Sequence, residues 1–125
     1  GMLEKVVAAH DVGRAINPVQ VEAQIEGGVV MGLGYGLTED FPLKDGEPQV
    51  KYGTLGLFKD SKVPAIESVI IEKNPDPKAF GAKGLGEIAT IPTAPAVAGA
   101  YFNRDGIFRT DLPLAGTPYS RKKKE

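Results

Sequence analysis

Apolar residues run along this chain in short bursts whose spacing changes from strand-like to helical and back. Leu3 to His10 (LEKVVAAH) is an apolar stretch of strand length, closed by turn residues at Asp11-Val12-Gly13. Asn17-Pro18 then predicts a helix start, because asparagine caps a helix N-terminus well and proline suits the first helical position. From there Val21, Ile25, Val29 and Gly32-Leu33 recur at helical spacing, which predicts a helix over 18–37. Glu22 and Glu26 fall on a different face. This helix carries Gly27, Gly28, Gly32, Gly34 and Gly36, each costing up to about 1 kcal/mol relative to alanine. A helix that keeps so many glycines is expected to press its backbone against another helix, a sheet or a ligand.

Further on, Lys44-Asp45-Gly46 has hairpin chemistry. The stretch from Val50 to Phe58 is ambiguous. Ser68 to Glu72 (SVIIE) predicts a strand, bounded by Pro64 and by Asn74-Pro75-Asp76-Pro77. Thr90 to Asn103 predicts a second helix with Ala94, Val97, Ala98 and Tyr101 on one face, stopped at Asn103-Arg104-Asp105-Gly106. Ile107 to Leu112 predicts a last short strand. The order strand, helix, hairpin, strand, helix, strand implies an α+β two-layer sandwich: a short mixed sheet with both helices packed on one face. One domain over 1–119 is expected, followed by a solvated, frayed charged tail over 120–125.

Composition then removes whole classes of function. The 125 residues contain no cysteine, which excludes disulfides, iron–sulfur ligation and a thiol nucleophile within the chain. A single histidine, His10, makes neither a histidine cluster nor an all-protein transition-metal site. A net charge of −1 implies no large basic face, so no nucleic-acid partner is expected. No apolar run approaches the ~18 residues of a membrane helix, so no membrane partner is expected either. Glu4 and Lys5 near the start do not read as a secretory signal, and the default expectation is the cytoplasm.

The stretch that carries chemistry is Phe80-Gly81-Ala82-Lys83-Gly84-Leu85-Gly86-Glu87. Its G-x-x-G-x-G spacing is neither a Walker loop nor a dinucleotide fingerprint. Glycines let backbone N–H groups approach an anion or a planar ligand. Glu87, beside apolar Leu85 and Ile88, would then be desolvated and tuned as a general base. The same residues also fit a plain glycine-rich turn, with Glu87 in the first turn of a helix and stabilised by its dipole. The residues alone leave both readings open.

Three ordered segments together resemble the C-terminal region of the molybdenum-binding subunit of the xanthine dehydrogenase and aldehyde oxidase family. They are His10-Asp-Val-Gly-Arg-Ala-Ile-Asn-Pro18, then Gln24-Ile-Glu-Gly-Gly28 with Gly32-Leu-Gly34, then Gly81-Ala-Lys-Gly-Leu-Gly-Glu87. The resemblance implies a molybdenum hydroxylase that inserts water-derived oxygen into a small N-heterocycle or aldehyde. It implies that Glu87 is the general base, that Gln24 hydrogen-bonds the pterin, and that Gly84, Leu85 and Gly86 lie against the cofactor. The cofactor would be molybdopterin, as such or as its cytosine dinucleotide, with the metal held by the pterin dithiolene. The missing cysteine and histidine clusters are then no objection. Asn17 reads as a cap, His10 and Asp11 as shaping the strand end and turn, and Lys83 as serving the loop or a partner.

The family's subunit is several times longer than this chain. Most cofactor contacts and the iron–sulfur and FAD parts would come from elsewhere, and Thr54-Leu-Gly-Leu-Phe58 with Lys62-Val-Pro64 matches the family only loosely. The expected partners are therefore the remainder of the molybdenum subunit and the iron–sulfur and FAD subunits or domains. The isolated chain is expected to be inactive, to lack the cofactor, and to form a homodimer through its uncovered faces. The alternatives are a stand-alone, non-catalytic interaction module that keeps the fold, and a small anion- or nucleotide-binding protein.

Overall fold

The computed structural model describes residues 1–120, apart from the side chains of Tyr52 and Asp60; the predicted charged tail beyond Ser120 lies outside the described residues. Strand β1 (Lys5–Asp11) and strand β4 (Ala65–Ile71) pair in parallel, from Lys5 opposite Ala65 to Asp11 opposite Ile71. The period-2 pattern turns Val6 and Ala8 of β1, with Ile66 and Ile70 of β4, into one core. Strand β4 begins three residues before the predicted start at Ser68. Its length is set by its partner, because Ala65, Ile66 and Glu67 pair with Lys5, Val6 and Val7. An ion pair between Lys5 and Glu67 ties the same ends.

Two parallel strands need a crossover, and helix α1 (Pro18–Leu37) supplies it. The Asn17 side chain accepts from the Gln20 N–H at 3.2 Å, as a cap should. At the other end the N–H groups of Thr38 and Glu39 both donate to the Gly34 carbonyl, at 3.0 and 2.8 Å. Ile25, Val29, Leu33 and Leu37 form one stripe, each at most 1% exposed, and they are the centre of the core. The neighbouring stripe contains Gly28, Gly32 and Gly36, and against it lies the segment 89–94. A Cβ on Gly28 would stand 2.7 Å from the Ala89 Cβ. One on Gly32 would stand 2.5 Å from the Thr93 Cβ and 2.9 Å from the Thr90 carbonyl oxygen. Gly28, Gly32 and Gly36 are therefore pressed against a neighbour, as expected, whereas Gly27 is not.

Helix α2 (Thr93–Asp105) starts three residues after the predicted Thr90. Pro92 disfavours the helical conformation at Ile91, so the helix cannot begin earlier, whereas Pro95 is tolerated in the first turn. Gly106 closes it with φ 71° and an N–H donated to the Phe102 carbonyl. Ala94, Val97 and Tyr101 are buried as predicted.

The hairpin also forms where its turn residues predict it. Strands β2 (Leu43–Lys44) and β3 (Glu47–Pro48) are joined through Asp45 (φ 52°) and Gly46 (φ 83°). These two-residue strands are exposed and make a separate sheet, so the α+β fold holds two small sheets where one mixed sheet was expected. A strand over 107–112 does not form. The backbone of Ile107 is taken by side chains instead: its N–H donates to Asp105 Oδ1, and its carbonyl accepts from Arg109. Arg109 also grips Asp105 Oδ2 at 2.7 Å and the Ala115 carbonyl at 2.7 Å. Beyond it, the Leu114 N–H donates to the Gly36 carbonyl, and Leu114 and Tyr119 enter the core. Ser120, assigned to the tail from sequence, closes this segment: its Oγ donates to the Leu114 carbonyl and accepts from the Thr117 N–H.

Substitution of the glycines of α1 should split by position. Gly32→Ala is expected to destabilise by about 1–3 kcal/mol, because it overpacks a backbone contact. Gly27, with nothing within 4 Å of its missing Cβ, should give a neutral or stabilising Gly27→Ala, by up to about 1 kcal/mol. Urea unfolding of both variants checks this pair.

Candidate functional site

The end of β1, the N-terminal half of α1 and the glycine-rich loop surround an open groove of about 480 Å³. The loop reaches it through the backbone. Gly13 and Ala82 form a bridge, the Arg14 N–H donates to the Gly81 carbonyl at 2.9 Å, and the Lys83 N–H donates to the Val12 carbonyl at 3.0 Å. This crossing demands glycine: Gly13 takes φ 67°, and a Cβ there would fall 2.3 Å from the Gly81 oxygen.

A carboxylate organises the same crossing. Asp11 Oδ1 accepts from the N–H groups of Gly13 (3.0 Å) and Lys73 (3.2 Å). Its Oδ2 accepts from Asn74 Nδ2 (2.8 Å) and from Lys83 Nζ (3.0 Å). The Gly13 N–H and the Lys83 ammonium, with Asn74 and the Lys73 N–H adding to them, hold the Asp11 carboxyl well below the usual carboxylate range. Nearby, Glu72 Oε1 accepts from the Ala15 N–H at 2.6 Å.

Of the residues predicted for the site, the structure brings Gln24, Leu85 and Gly86 together on the groove wall. Gln24 Nε2 donates to the Gly86 carbonyl at 2.6 Å. Gly84 and Glu87 flank this contact and are exposed. The desolvation expected of Glu87 is not realised within this chain: its carboxylate faces outward, with no hydrogen bond or ion pair to another of the described residues. The alternative place in the first turn of a helix is not realised either, because α2 starts six residues later. Glu87 instead lies at the head of a turn, where its carbonyl accepts from the Thr90 N–H at 3.0 Å.

Sequence reasoning did not single out Arg14 and Gln20, which also line the groove, or Asn74. The Asp-x-Gly spacing at 11–13 was a usable sign of an Asx turn. Nothing local announces Asn74, whose partner is 63 residues away. Among the described residues no group of three or more His, Cys, Asp or Glu could hold a metal ion, and no helix is long and apolar enough to cross a membrane.

A family model for the molybdopterin cofactor-binding domain matches residues 2–69. The chain belongs to this family. It is 32% identical over 115 residues to the xanthine dehydrogenase molybdenum-binding subunit of Escherichia coli O157:H7, covering 90% of this chain and 15% of the relative. It is 36% identical over 110 residues to subunit gamma of the 6-hydroxypseudooxynicotine dehydrogenase complex of Paenarthrobacter nicotinovorans, covering 83% and 14%. The crystal structure of quinoline 2-oxidoreductase from Pseudomonas putida 86 superposes with a TM-score of 0.81 at 29% identity, over 90% of this chain and 15% of that one. This molybdopterin cofactor-binding domain thus spans about 15% of the length of such relatives. The resemblance read from its three motifs is borne out: the chain matches a segment of molybdenum-binding subunits of the xanthine dehydrogenase type.

The Asp11 hub carries a pH signature. A carboxyl whose folded-state pKa is depressed adds stability that is fully present above its unfolded value, ~3.9, and is lost as pH falls through the folded one. Urea midpoints of the parent chain should therefore fall steeply below about pH 4. Asp11→Asn should be less stable at neutral pH and should show a shallower acid limb.

Proposed function

We propose that this chain contributes one wall of the molybdopterin site, and the general base, of a molybdenum hydroxylase of the xanthine dehydrogenase and aldehyde oxidase type. The observation that carries the reading is the loop at Gln24. Its side chain holds the Gly86 carbonyl, while a Cβ at Gly84 or Gly86 would meet nothing within 4 Å. The fold therefore does not itself require glycine at these two positions, unlike Gly13 and Gly32. Bare backbone beside a groove suits the close approach of a planar ligand. The donor set fits a pterin as well. One Nε2 hydrogen and the Oε1 of Gln24 remain for a ring edge that both donates and accepts. The lack of a metal-ligating cluster among the described residues suits a metal carried by an organic ligand.

Gln24 would orient the ring edge, and the backbone of Gly84, Leu85 and Gly86 would lie against it. When bound, molybdopterin supplies the two-electron redox chemistry. Glu87, next to this backbone, would accept at its carboxylate one of the two protons released as water-derived oxygen enters the substrate and two electrons leave it. The rest of the molybdenum subunit would cover the groove and exclude water from that carboxylate. Iron–sulfur and FAD units would carry the electrons away. Substrates would be small N-heterocycles or aldehydes, the cofactor molybdopterin or its cytosine dinucleotide, and the compartment the cytoplasm.

In the assembled hydroxylase, Glu87→Gln should lower kcat/KM by about 10²–10⁴-fold with molybdenum content unchanged. Unaltered turnover in that variant would favour the non-catalytic interaction module. Gln24→Ala should weaken cofactor retention about tenfold, the worth of one hydrogen bond. The 125-residue chain purified alone should hold no molybdenum, oxidise neither xanthine nor aldehydes, and self-associate at ~50 μM, a concentration at which ordinary specific dimers persist. Metal analysis, activity assays and light scattering check these three outcomes.

A further inference from the structure

Three separate segments meet on one side chain at the end of β1. Asp11 belongs to the strand, Lys73 and Asn74 follow the paired strand β4, and Lys83 belongs to the glycine-rich loop. The Asp11 side chain is 24% exposed and that of Lys83 34%, so the pair is half-sheltered and not a freely solvated surface contact. Two backbone bonds follow it along the crossing, Lys83 N–H to the Val12 carbonyl and Arg14 N–H to the Gly81 carbonyl. Past Lys83 the next hydrogen bond to the loop backbone among the described residues is the one from Gln24 to Gly86. The loop is thus pinned at two places, and Glu87 follows immediately after the second. The first pin involves a charge pair whose anionic member already accepts from the Gly13 and Lys73 N–H groups and from Asn74. That saturation fixes the direction of Oδ2, and with it the place of the Lys83 ammonium.

We propose that Asp11, acting through Lys83, is a positioning residue that sets where the Gly84–Glu87 backbone stands relative to α1, and hence where the Glu87 carboxylate is presented. The inference rests on the reading of Glu87 as the proton acceptor. Asp11 touches neither substrate nor cofactor in this account. It fixes the geometry of a group that must meet a proton within hydrogen-bond distance, and small displacements there are costly in rate.

The chain itself gives the first test. In Asp11→Asn and Lys83→Met, the backbone order parameters of Gly84–Glu87 should fall towards flexible values, while those of Ile25, Val29 and Leu33 in the folded protein keep their parent values. Lys83→Arg, which retains the charge, should keep the parent order parameters in the loop. Unchanged loop order parameters in both disrupted variants overturn the proposal. So does a fall shared equally by loop and helix, which marks a general loosening of the fold. The second test uses the assembled hydroxylase. Asp11→Asn and Lys83→Met should lower kcat about tenfold or more, with KM within twofold and molybdenum content per subunit unchanged, whereas Lys83→Arg keeps the parent kcat. A fall in activity that tracks lost molybdenum overturns the positioning role and makes the pair a support for cofactor retention. If Glu87→Gln keeps full turnover, the base assignment fails by itself; the loop order parameters still report whether Asp11 places the loop.

Discussion

The close approach between the glycine stripe of α1 and the segment 89–94 is the constraint on which the remaining architecture depends. Residues 24, 28, 32 and 36 follow one another at single-turn intervals and share one side of the helix. Three of them are glycines, so the incoming segment lies against bare backbone, with Ala89 and Thr93 filling the space that side chains would occupy. The fourth is Gln24, and it meets the same segment one step earlier, at Gly86. A single stripe therefore both seats the start of α2 and fixes the end of the glycine-rich loop. The adjacent stripe of Ile25, Val29, Leu33 and Leu37 does the other task, gathering β1, β4 and α2 into one core.

This division explains why a two-stranded parallel ribbon persists. Such a ribbon is marginal without cover. Here its inner face is sealed by the aliphatic stripe of the helix that connects its strands. The helix can lie close because its other stripe carries almost no side-chain bulk. The glycines cost helix propensity, but the buried aliphatic residues beside them offset that cost, at about 1.5–3 kcal/mol for each fully buried side chain.

Much of the fold was legible in the sequence, because its strongest signals are local. Asn17-Pro18 marks the start of α1, Asp45-Gly46 the hairpin, and Gly106 the end of α2. What was not legible depends on partners distant in sequence. The start of β4 is set by pairing with Lys5–Val7, and the stretch 107–112 is held by Arg109 where a strand was expected. The single mixed sheet failed for a similar reason: the hairpin strands are two exposed residues each, and Pro48 lacks the N–H that a neighbour would need. At the site, the glycine spacing and its following carboxylate drew attention to the right loop, and Gln24 and Gly86 do meet. Glu87 is exposed in this segment because local apolar neighbours such as Leu85 and Ile88 do not by themselves enclose a side chain. The Asp11 hub was half visible, as an Asx turn, while its ties to Asn74 and Lys83 were not.

The groove is assembled from stretches far apart along the polypeptide: Asp11 meets Lys73, Asn74 and Lys83 at separations of 62, 63 and 72 residues, and Gln24 meets Gly86 at 62. Long-range closures of this kind are entropically late events in folding. During synthesis, β1 and α1 leave the ribosome before the glycine-rich loop and wait for these partners until the chain through Gly86 has emerged. At about 5–20 residues per second that interval lasts several seconds. For that interval the groove exists only as two unfinished halves, although each half already has its local structure.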